Sequence, residues 1–277
     1  MNDYSNSNQY TKKRMNFKRK HKLLDEVRRI ARAASNSIMD IYGQDFAIEL
    51  KNDGSPLTKA DQSAHRIIQK GLTKLSPQLP VLSEESSENE VRDRQNWESY
   101  WLVDPLDGTK EFVKRNDEFT VNIALVEENR ATLGVILAPA LQVEYSGSIG
   151  LGAWRQYKNQ PKIKISTSLL QDRPTRVVSS RSHPNATTKN YIEALGDYDL
   201  KEIGSSIKTC YIADGQADVY PRFGPTSEWD TAASQAILES AGGGMIDLAG
   251  QPLRYNTKND LLNPHFVAFG DLTQAWL

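Results

Sequence analysis

The chain has 277 residues, of which 25% are charged, and a formal net charge of −1. This length is enough for a large buried core, either in one domain or in two packed halves. The absence of an apolar run of about 18 residues excludes a transmembrane helix. A single cysteine, Cys210, excludes an internal disulfide and agrees with a reducing compartment.

The first 22 residues differ from the rest of the chain in charge. They hold seven Lys or Arg and one acid, a net charge of +6, whereas the remaining residues hold 27 and 34, a net charge of −7. Residues 1–22 lack helical apolar periodicity and the apolar segment of a signal peptide, which predicts a basic flexible arm and a cytoplasmic protein. The alternative is a weak peripheral contact of this arm with anionic lipid on the cytoplasmic face of the inner membrane. The acidic body argues against a nucleic-acid-binding protein.

Two amphipathic helices are predicted next. Apolar residues recur at helical spacing over residues 23–41 and stop before Gly43, a residue typical of a helix C-terminus. Residues 47–50 form a short candidate strand that leads into a turn. A second helix opens at Thr58 with Asp61 in its first turn, where an acidic side chain interacts favourably with the helix dipole.

The pattern of elements changes near residues 155–175. Before this point, residues 119–154 hold a hairpin pattern of alternating apolar residues and two further short runs, which predicts an antiparallel sheet. After it, short strands alternate with helices, the last of which ends at the glycines 242–244. The first half, residues 23–160, is therefore predicted as α+β, and the second half, residues 161–277, as α/β.

Two short apolar runs end in acidic residues, and one predicted helix carries an acid in its first turn. The most informative stops at Asp104 and Asp107, and nothing cationic flanks the two aspartates on the strand side. Two carboxylates held this close repel each other unless a positive charge lies between them, which indicates a metal site. Acidic ends also occur at Glu84-Glu85 and, in the first turn of a predicted helix, at Asp230. A strand followed by ordinary Asp-Pro and Asp-Gly turns is the alternative for the first motif alone.

The acidic motifs occur in a fixed order along the chain, as Glu84-Glu85-Ser86, then Asp104-Pro105-Leu106-Asp107-Gly108-Thr109, then Trp229-Asp230 with Ala232-Ala233. This set resembles the signature of the inositol monophosphatase superfamily, which consists of lithium-sensitive, magnesium-dependent phosphatases. The resemblance extends from about residue 23 to residue 269. It implies a layered α-β-α-β-α sandwich of the inositol monophosphatase and sugar phosphatase type.

Further segments resemble the bacterial 3'(2'),5'-bisphosphate nucleotidases within that superfamily: Gly108-Thr109-Lys110-Glu111-Phe112, Gly204-Ser205-Ser206-Ile207-Lys208 and Tyr220-Pro221-Arg222-Phe223-Gly224-Pro225-Thr226. This likeness implies hydrolysis of the 3'-phosphate of adenosine 3',5'-bisphosphate (PAP) to AMP and phosphate, in sulfur assimilation and nucleotide turnover. The 5'-phosphosulfate analogue (PAPS), which would yield APS, is a second candidate substrate. An inositol monophosphate or sugar-bisphosphate phosphatase is the alternative enzyme.

The resemblance also assigns ligands for two Mg²⁺ ions. Glu84, Asp104 and the Leu106 carbonyl hold one ion, and Asp104, Asp107 and Asp230 hold the other, so Asp104 bridges the two. The family's mechanism allows a third ion that shares Glu84. Carboxylate and carbonyl oxygens are hard ligands that select Mg²⁺, with Mn²⁺ as a substitute. Four histidines and one cysteine, none of them clustered, argue against a zinc site.

The remaining site residues follow from the same resemblance. Asp61 and Thr109 match the pair that orients and deprotonates the attacking water, while the Gly108 and Thr109 N–H groups hold phosphate. Lys208 and Arg222 supply cations for the second phosphate of the nucleotide. The predicted substrate-contacting set is Glu84, Leu106, Asp107, Gly108, Thr109, Gly204, Ser205, Ser206, Lys208, Arg222 and Asp230.

Residues 179–183 form another candidate substrate loop, in which His183 is expected to be a surface histidine. Ser234 stands where members of the family usually have glycine, and its small side chain is expected to be tolerated in helix packing. A non-catalytic protein that keeps the fold would not need the full set of ligands together with Asp61 and Thr109. Both a monomer and a homodimer remain open.

Overall fold

The computed structural model describes residues 17–44, 48–50, 56–171, 173–182 and 185–277. The helices in these stretches are α1 (Phe17–Tyr42), α2 (Lys59–Leu75), α3 (Glu88–Val91), α4 (Thr109–Lys114), α5 (Ala186–Ala194), α6 (Ile207–Ala213) and α7 (Glu228–Ala241), with a 3₁₀ turn at Arg94–Asn96. None of the described helices is long and apolar enough to cross a bilayer.

The strands form one small and two large sheets. The small sheet pairs β1 (Ile48–Leu50) with β2 (Pro56–Thr58). A seven-stranded sheet follows chain order through β3 (Val81–Ser83), β4 (Ser99–Asp107), β5 (Thr120–Glu127), β6 (Arg130–Ala138), β7 (Val143–Ser148), β8 (Gly152–Tyr157) and β9 (Ile163–Ile165). A five-stranded sheet has the spatial order β11 (Tyr198–Ile203), β10 (Thr175–Ser180), β12 (Val219–Arg222), β14 (Phe266–Phe269) and β13 (Gly244–Asp247).

Helices and sheets alternate in five layers. α1 and α2 cover one face of the seven-stranded sheet, α6 and α7 fill the space between the two large sheets, and α5 covers the outer face of the five-stranded sheet. The predicted α-β-α-β-α sandwich is therefore confirmed. The seven-stranded sheet is antiparallel except for the β3/β4 pair. The five-stranded sheet mixes parallel pairs at β10 with antiparallel pairs at β14.

The apolar periodicity of α1 explains how this helix attaches to the sheet. Its buried residues recur every three or four positions, which puts them on one face of the helix: Leu24, Val27, Ala31, Ala34 and Ile38. α2 adds a similar stripe, and both pack on side chains from β4, β5 and β6. Burial of this face, at roughly 25 cal/mol per Å² of apolar surface, stabilises the outer helical layer.

α7 lies unusually close to the seven-stranded sheet. A Cβ atom on Gly134 in β6 would stand only 2.1 Å from the carbonyl oxygen of Ala233 in α7, so only glycine permits this approach. Ser234, the next helix residue, is 1% exposed, and its hydroxyl donates to the Thr231 carbonyl at 2.9 Å. As expected, this position accommodates serine without breaking the packing.

The prediction of a flexible arm over residues 1–22 is wrong for residues 17–22. Residues 17–22 already belong to α1, because tertiary contacts extend this helix towards the N-terminus. Lys20 Nζ donates to the Ile149 carbonyl at 3.2 Å, and the rings of His21 and Trp154 lie 5.7 Å apart. Residues 1–16 lie outside the described residues, so the prediction for them remains a prediction.

The predicted boundary between residues 160 and 161 is also misplaced. β9 lies beyond it but pairs with β8 and so belongs to the seven-stranded sheet of the first half. One continuous core lies between the two large sheets and contains residues of both halves, such as Leu102 and Ala232. The two halves are therefore packed around a shared core.

Candidate metal centre and substrate cleft

The end of β4 supplies two carboxylates. The register between β4 and β5 shifts between Asp104 and Asp107, at the point where Pro105 has no N–H to contribute to the ladder. Asp104 Oδ1 accepts a hydrogen bond from the Leu106 N–H at 2.9 Å, which fixes the local turn. The irregularity lets both aspartates reach one cluster at the strand end.

The first turn of α7 supplies the third carboxylate. Asp230 Oδ2 accepts a hydrogen bond from the Ser227 N–H at 3.0 Å, which completes a capping box at the helix start. One carboxylate oxygen each from Asp104, Asp107 and Asp230 lies within 4.8 Å of the other two. Asp104 is only 1% exposed. Oxygen ligands at this spacing suit a divalent cation such as Mg²⁺.

The electrostatics of the cluster also favour a cation. Burial raises the pKa of Asp104 well above its usual range, and the neighbouring Glu84, Asp107 and Asp230 carboxylates raise it further. Burial raises the pKa of Asp230 in the same way, with contributions from Asp107 and then Glu84. A divalent ion would offset this repulsion and favour the ionised carboxylates. The donor set therefore fits the predicted Mg²⁺ site.

The two other predicted ligands lie beside the cluster. Glu84 directly follows β3, its N–H donates to the Val103 carbonyl in β4 at 3.0 Å, and its side chain lines the cleft next to Asp107. The Leu106 carbonyl lies within the β4 irregularity and is 3.2 Å from Thr109 Oγ1. The Glu84 carboxylate raises the pKa of Asp104 by charge repulsion.

Asp61 and Thr109 form the predicted pair. Asp61 is 2% exposed, and its Oδ2 accepts hydrogen bonds at 2.7 Å from the N–H and the hydroxyl of Thr58. Thr109 Oγ1 lies 3.3 Å from Asp61 Oδ1 and 3.2 Å from the Leu106 carbonyl, so its single proton can go to either acceptor. Burial raises the pKa of Asp61, which the two Thr58 hydrogen bonds oppose.

Gly108 forms the turn between β4 and α4. Its φ of +88° is accessible to glycine, and a Cβ atom would stand 3.0 Å from the Glu118 carbonyl oxygen. Gly108 and Thr109 both line the cleft beside the aspartates. The backbone at this turn can therefore approach a ligand held by the metal cluster.

The β11–α6 loop brings the second half of the chain to the metal cluster. The N–H and hydroxyl of Ser206 both lie 2.5 Å from Asp107 Oδ2, and the hydroxyl is also 2.6 Å from the Asp230 carbonyl. Ser206 therefore contacts a predicted metal ligand directly. Ser205 has a φ of +49°, and its buried Oγ has no hydrogen-bond partner among the described residues. Gly204, Ser205 and Ser206 all line the cleft.

Two buried cations, Lys208 and Arg222, line the same cleft. Lys208 is 5% exposed, donates to the Ser205 carbonyl and lies 5.4 Å from the centre of the Tyr220 ring. Burial lowers the pKa of Lys208 to about 8, although the Asp107 carboxylate opposes this shift. Arg222 is 9% exposed and donates to Thr226 Oγ1 and, at 2.7 Å, to the Pro225 carbonyl.

The cleft unites most of the predicted site residues around a cavity of about 200 Å³. Its lining includes Glu84, Asp107, Gly108, Thr109, Gly204, Ser205, Ser206, Lys208, Arg222 and Asp230. Asp61 and the Leu106 carbonyl contact this lining through Thr109, and Asp104 shares the carboxylate cluster with Asp107 and Asp230. Ser180 and Ser182 of the candidate loop 179–183 also line the cleft, whereas His183 lies outside the described residues.

Several residues of the site were not assigned from the sequence. The buried Glu111 lines the cleft and accepts a hydrogen bond from the Ser182 hydroxyl. Asn122 is fully buried in β5 and donates to Ser206 Oγ at 2.9 Å. An amide inside an otherwise apolar strand is a pattern that could have identified Asn122. Glu118, whose carboxylate accepts the Gly204 N–H at 2.7 Å, has no comparable pattern around it.

A sequence profile of the Inositol monophosphatase family matches residues 20–274. The chain belongs to this phosphatase family. The family depends on a metal ion, generally Mg²⁺, and the cluster of Asp104, Asp107 and Asp230 is compatible with that requirement. The resemblance inferred from the acidic motifs is therefore confirmed.

Individual relatives point to one branch of the family. The chain is 47% identical over 247 residues to the 3'(2'),5'-bisphosphate nucleotidase CysQ of Escherichia coli K12, covering 88% of this chain and 98% of that protein. The crystal structure of CysQ from Bacteroides thetaiotaomicron, a bacterial member of the family, superposes with a TM-score of 0.79 at 38% identity and covers 93% of this chain and 99% of that one. An inositol monophosphatase from Anabaena, at 22% identity and a TM-score of 0.70 over 91% of each chain, shares the fold.

Proposed function

We propose that this protein is a Mg²⁺-dependent 3'(2'),5'-bisphosphate nucleotidase that hydrolyses the 3'-phosphate of adenosine 3',5'-bisphosphate to AMP and phosphate. The observation that carries the proposal is the pairing, in one cleft, of a three-aspartate cluster with the buried cations Lys208 and Arg222. A substrate with two phosphates needs one site for the reacting group and another for the group that does not react. The three aspartates offer the site for the reacting phosphate, and Lys208 and Arg222 offer the site for the other.

We call the part of the cleft around Asp104, Asp107 and Asp230 the metal wall. The chain's own residues would position the reaction there. Mg²⁺ bound to the carboxylates and the Leu106 carbonyl would neutralise phosphoryl charge and lower the pKa of a bound water. Asp61 accepts a hydrogen bond from the Thr109 hydroxyl, so Thr109 Oγ1 would take a proton from the attacking water as it passes its own proton to Asp61. The N–H groups of Gly108 and Thr109 would hold a phosphoryl oxygen. Two ions are proposed, with Mn²⁺ as a substitute and a third ion sharing Glu84.

We call the part of the cleft around Ser205, Lys208 and Arg222 the recognition wall. It would hold the part of the nucleotide that does not react. Lys208 and Arg222 carry the positive charge that the 5'-phosphate requires, and the Ser205 hydroxyl, which has no partner among the described residues, can donate to the phosphate or the ribose.

PAPS has the same 3'-phosphate and is proposed as a second substrate. The proposal also covers a role in sulfur metabolism and a cytoplasmic location. Membrane contact through the basic arm of residues 1–22 and the choice between monomer and homodimer remain predictions.

A substrate panel tests the proposed function. The purified chain is assayed in Mg²⁺ with PAP, PAPS, the 2',5' isomer, inositol 1-phosphate and fructose 1,6-bisphosphate, and phosphate release is measured as kcat/KM. We expect PAP to be the best of these substrates and EDTA to abolish the activity. A higher kcat/KM for inositol 1-phosphate or fructose 1,6-bisphosphate would overturn the nucleotide assignment and favour the alternative enzyme.

A further inference from the structure

The loop from Gly204 to Ser206 is held at both ends by carboxylates from the first half of the chain. At one end, the Gly204 N–H donates to Glu118 Oε2 at 2.7 Å. At the other end, the Ser206 N–H donates to Asp107 Oδ2 at 2.5 Å. Between these anchors, Ser205 adopts a φ of +49°, which a serine rarely takes without support from its surroundings.

Glu118 uses both oxygens of its carboxylate. Oε2 accepts the Gly204 N–H, and Oε1 lies 2.8 Å from Nη2 of Arg181, whose guanidinium also donates to the Glu202 carbonyl. The Glu118 side chain is only 15% exposed, so solvent competes weakly for these bonds. The carboxylate therefore fixes the start of the loop while Arg181 holds the carboxylate.

The backbone of Glu118 packs between the two loops that form the cleft. A Cβ atom on Gly108 would stand 3.0 Å from the Glu118 carbonyl oxygen, and one on Gly204 would stand 3.1 Å from the same atom. A Cβ on Gly204 would also meet Glu111 Cγ at 2.7 Å. The turn at Gly108 and the loop at Gly204 are thus packed against one residue, with no space for a side chain on either glycine.

From this arrangement we propose that Glu118 is a positioning residue for nucleotide recognition. It fixes the Gly204 peptide and thereby holds Ser205 in its left-handed conformation, with its hydroxyl free and its carbonyl turned to Lys208 Nζ. Glu118 does not line the cleft, so it acts on the substrate through the loop. The inference rests on the proposed function, in which Ser205 and Lys208 contact the part of the nucleotide that does not react.

The loss of this anchor has a specific consequence for the kinetics. Loosening residues 204–205 weakens contacts that are made equally to substrate and transition state, so KM rises while kcat is retained. Asp107 still holds Ser206, so Mg²⁺ binding is maintained. The Gly204 N–H loses its acceptor and exchanges with solvent more readily.

The test compares Glu118→Ala, Glu118→Gln and Arg181→Ala with the wild type, and uses Glu193→Ala, an exposed pair to Lys189 on α5, as a matched surface control. Hydrogen exchange at the Gly204 amide is measured first, by NMR. Kinetics follow with PAP and with 3'-AMP, which lacks the second phosphate. Glu118→Gln keeps one oxygen that can accept from the Gly204 N–H but replaces the other, which pairs with Arg181, by an NH2 group.

We expect Glu118→Ala to speed Gly204 exchange and to raise KM for PAP about ten-fold, the scale of one hydrogen bond to a charged group. Its kcat, its half-saturating Mg²⁺ concentration and its KM for 3'-AMP should stay within about two-fold, as should all parameters of Glu193→Ala. Glu118→Gln and Arg181→Ala, which remove the ion pair that holds the carboxylate, should raise KM for PAP by less than Glu118→Ala. Unchanged Gly204 exchange, or equal losses on PAP and 3'-AMP, would overturn the positioning role. Wild-type protein that is inactive on PAP would refute the proposed function, and the exchange measurement would still decide the anchor.

Discussion

On one side of the cleft, Asp104, Asp107 and Asp230 bring carboxylate oxygens to within 4.8 Å of one another, whereas on the other side Lys208 and Arg222 already donate to carbonyl oxygens of neighbouring loops. The carboxylates repel each other and need a cation from outside the chain. The cations have partners within the chain.

This contrast separates two kinds of pre-organisation. The metal wall gains its stable charged state only when the ion binds, so its residues should matter for activity far more than for folding. The recognition wall is held in place before the substrate arrives, which reduces the ordering cost of binding. Changes in the metal wall should therefore act mainly on the chemical step, and changes in the recognition wall on the choice of substrate.

The largest effect is expected from Asp104→Asn. This change removes the charge of the ligand that is proposed to bridge two ions, so kcat/KM should fall at least 10³-fold, or about 4 kcal/mol of transition-state stabilisation. The measurement is phosphate release from PAP at saturating Mg²⁺, with circular dichroism to confirm folding. Retention of more than about a tenth of wild-type turnover, a loss of under 1.4 kcal/mol, would contradict the bridging role.

A loss of about 10² in kcat is expected from Thr109→Val, because this change removes the hydroxyl between Asp61 and the attacking water. Asp61→Asn should give a similar loss, and the double variant should be little worse than either single one, since both act through one hydrogen bond. Thr109→Ser keeps the hydroxyl and serves as the matched control. Additive losses in the double variant would show that the two residues act independently.

Substitutions in the recognition wall should lower kcat/KM for one substrate far more than for another. Lys208→Ala and Arg222→Ala should each lower kcat/KM for PAP ten-fold or more, about 1.5 to 3 kcal/mol, because each removes a charge-assisted hydrogen bond to the second phosphate. The same variants should change kcat/KM for 3'-AMP by less than about three-fold. Equal losses on both substrates would place Lys208 and Arg222 in support of the fold or the metals.

The smallest effect concerns stability without metal. The folded state raises the pKa of Asp104 and Asp230, so between their unfolded and folded pKa values the folded protein binds more protons than the unfolded chain. Stability in EDTA should therefore fall as pH rises above about 4, the unfolded value, and Tm should drop by some degrees up to pH 8. Mg²⁺ should reduce this slope, which would leave a remainder from Asp61 and from Glu228, whose pKa burial raises to about 7. A Tm series in EDTA that rises with pH would contradict the repulsion inferred for the cluster.

The metal wall could be predicted from the sequence because its chemistry lies in short local motifs. Asp104 and Asp107 are neighbours at one strand end, and their like charges, together with the acidic residues at Glu84-Glu85 and Asp230, indicated a cation. Asp61 and Asp230 each lie in the first turn of a helix, where an acid also caps the backbone, so only the family resemblance gave them a catalytic meaning. Local sequence thus identified the residues but did not show how they meet.

The contacts between the halves could not be predicted, because they join residues far apart in the chain. Ser206 reaches Asp107, and Glu118 reaches Gly204, across sequence separations of 99 and 86 residues. No local pattern indicates such pairs. The same limit explains the error at residues 17–22, because Lys20 and His21 contact Ile149 and Trp154 far along the chain. The error at β9 differs, because β9 pairs with its neighbour β8 and its three residues are too short a run to indicate which sheet they join.

The approach of α7 to Gly134 has a consequence for how substitutions in this protein would be classified. Gly134 lies in the middle of a strand, outside the lining of the cleft, and faces α7, whose first turn carries Asp230. A methyl group there would have to push the helix backbone away, and the metal ligand at its first turn would move with it. A method that ranks substitutions only by their distance from the cleft would classify Gly134→Ala as harmless. A titration with Mg²⁺ would reveal it as a defect in metal affinity.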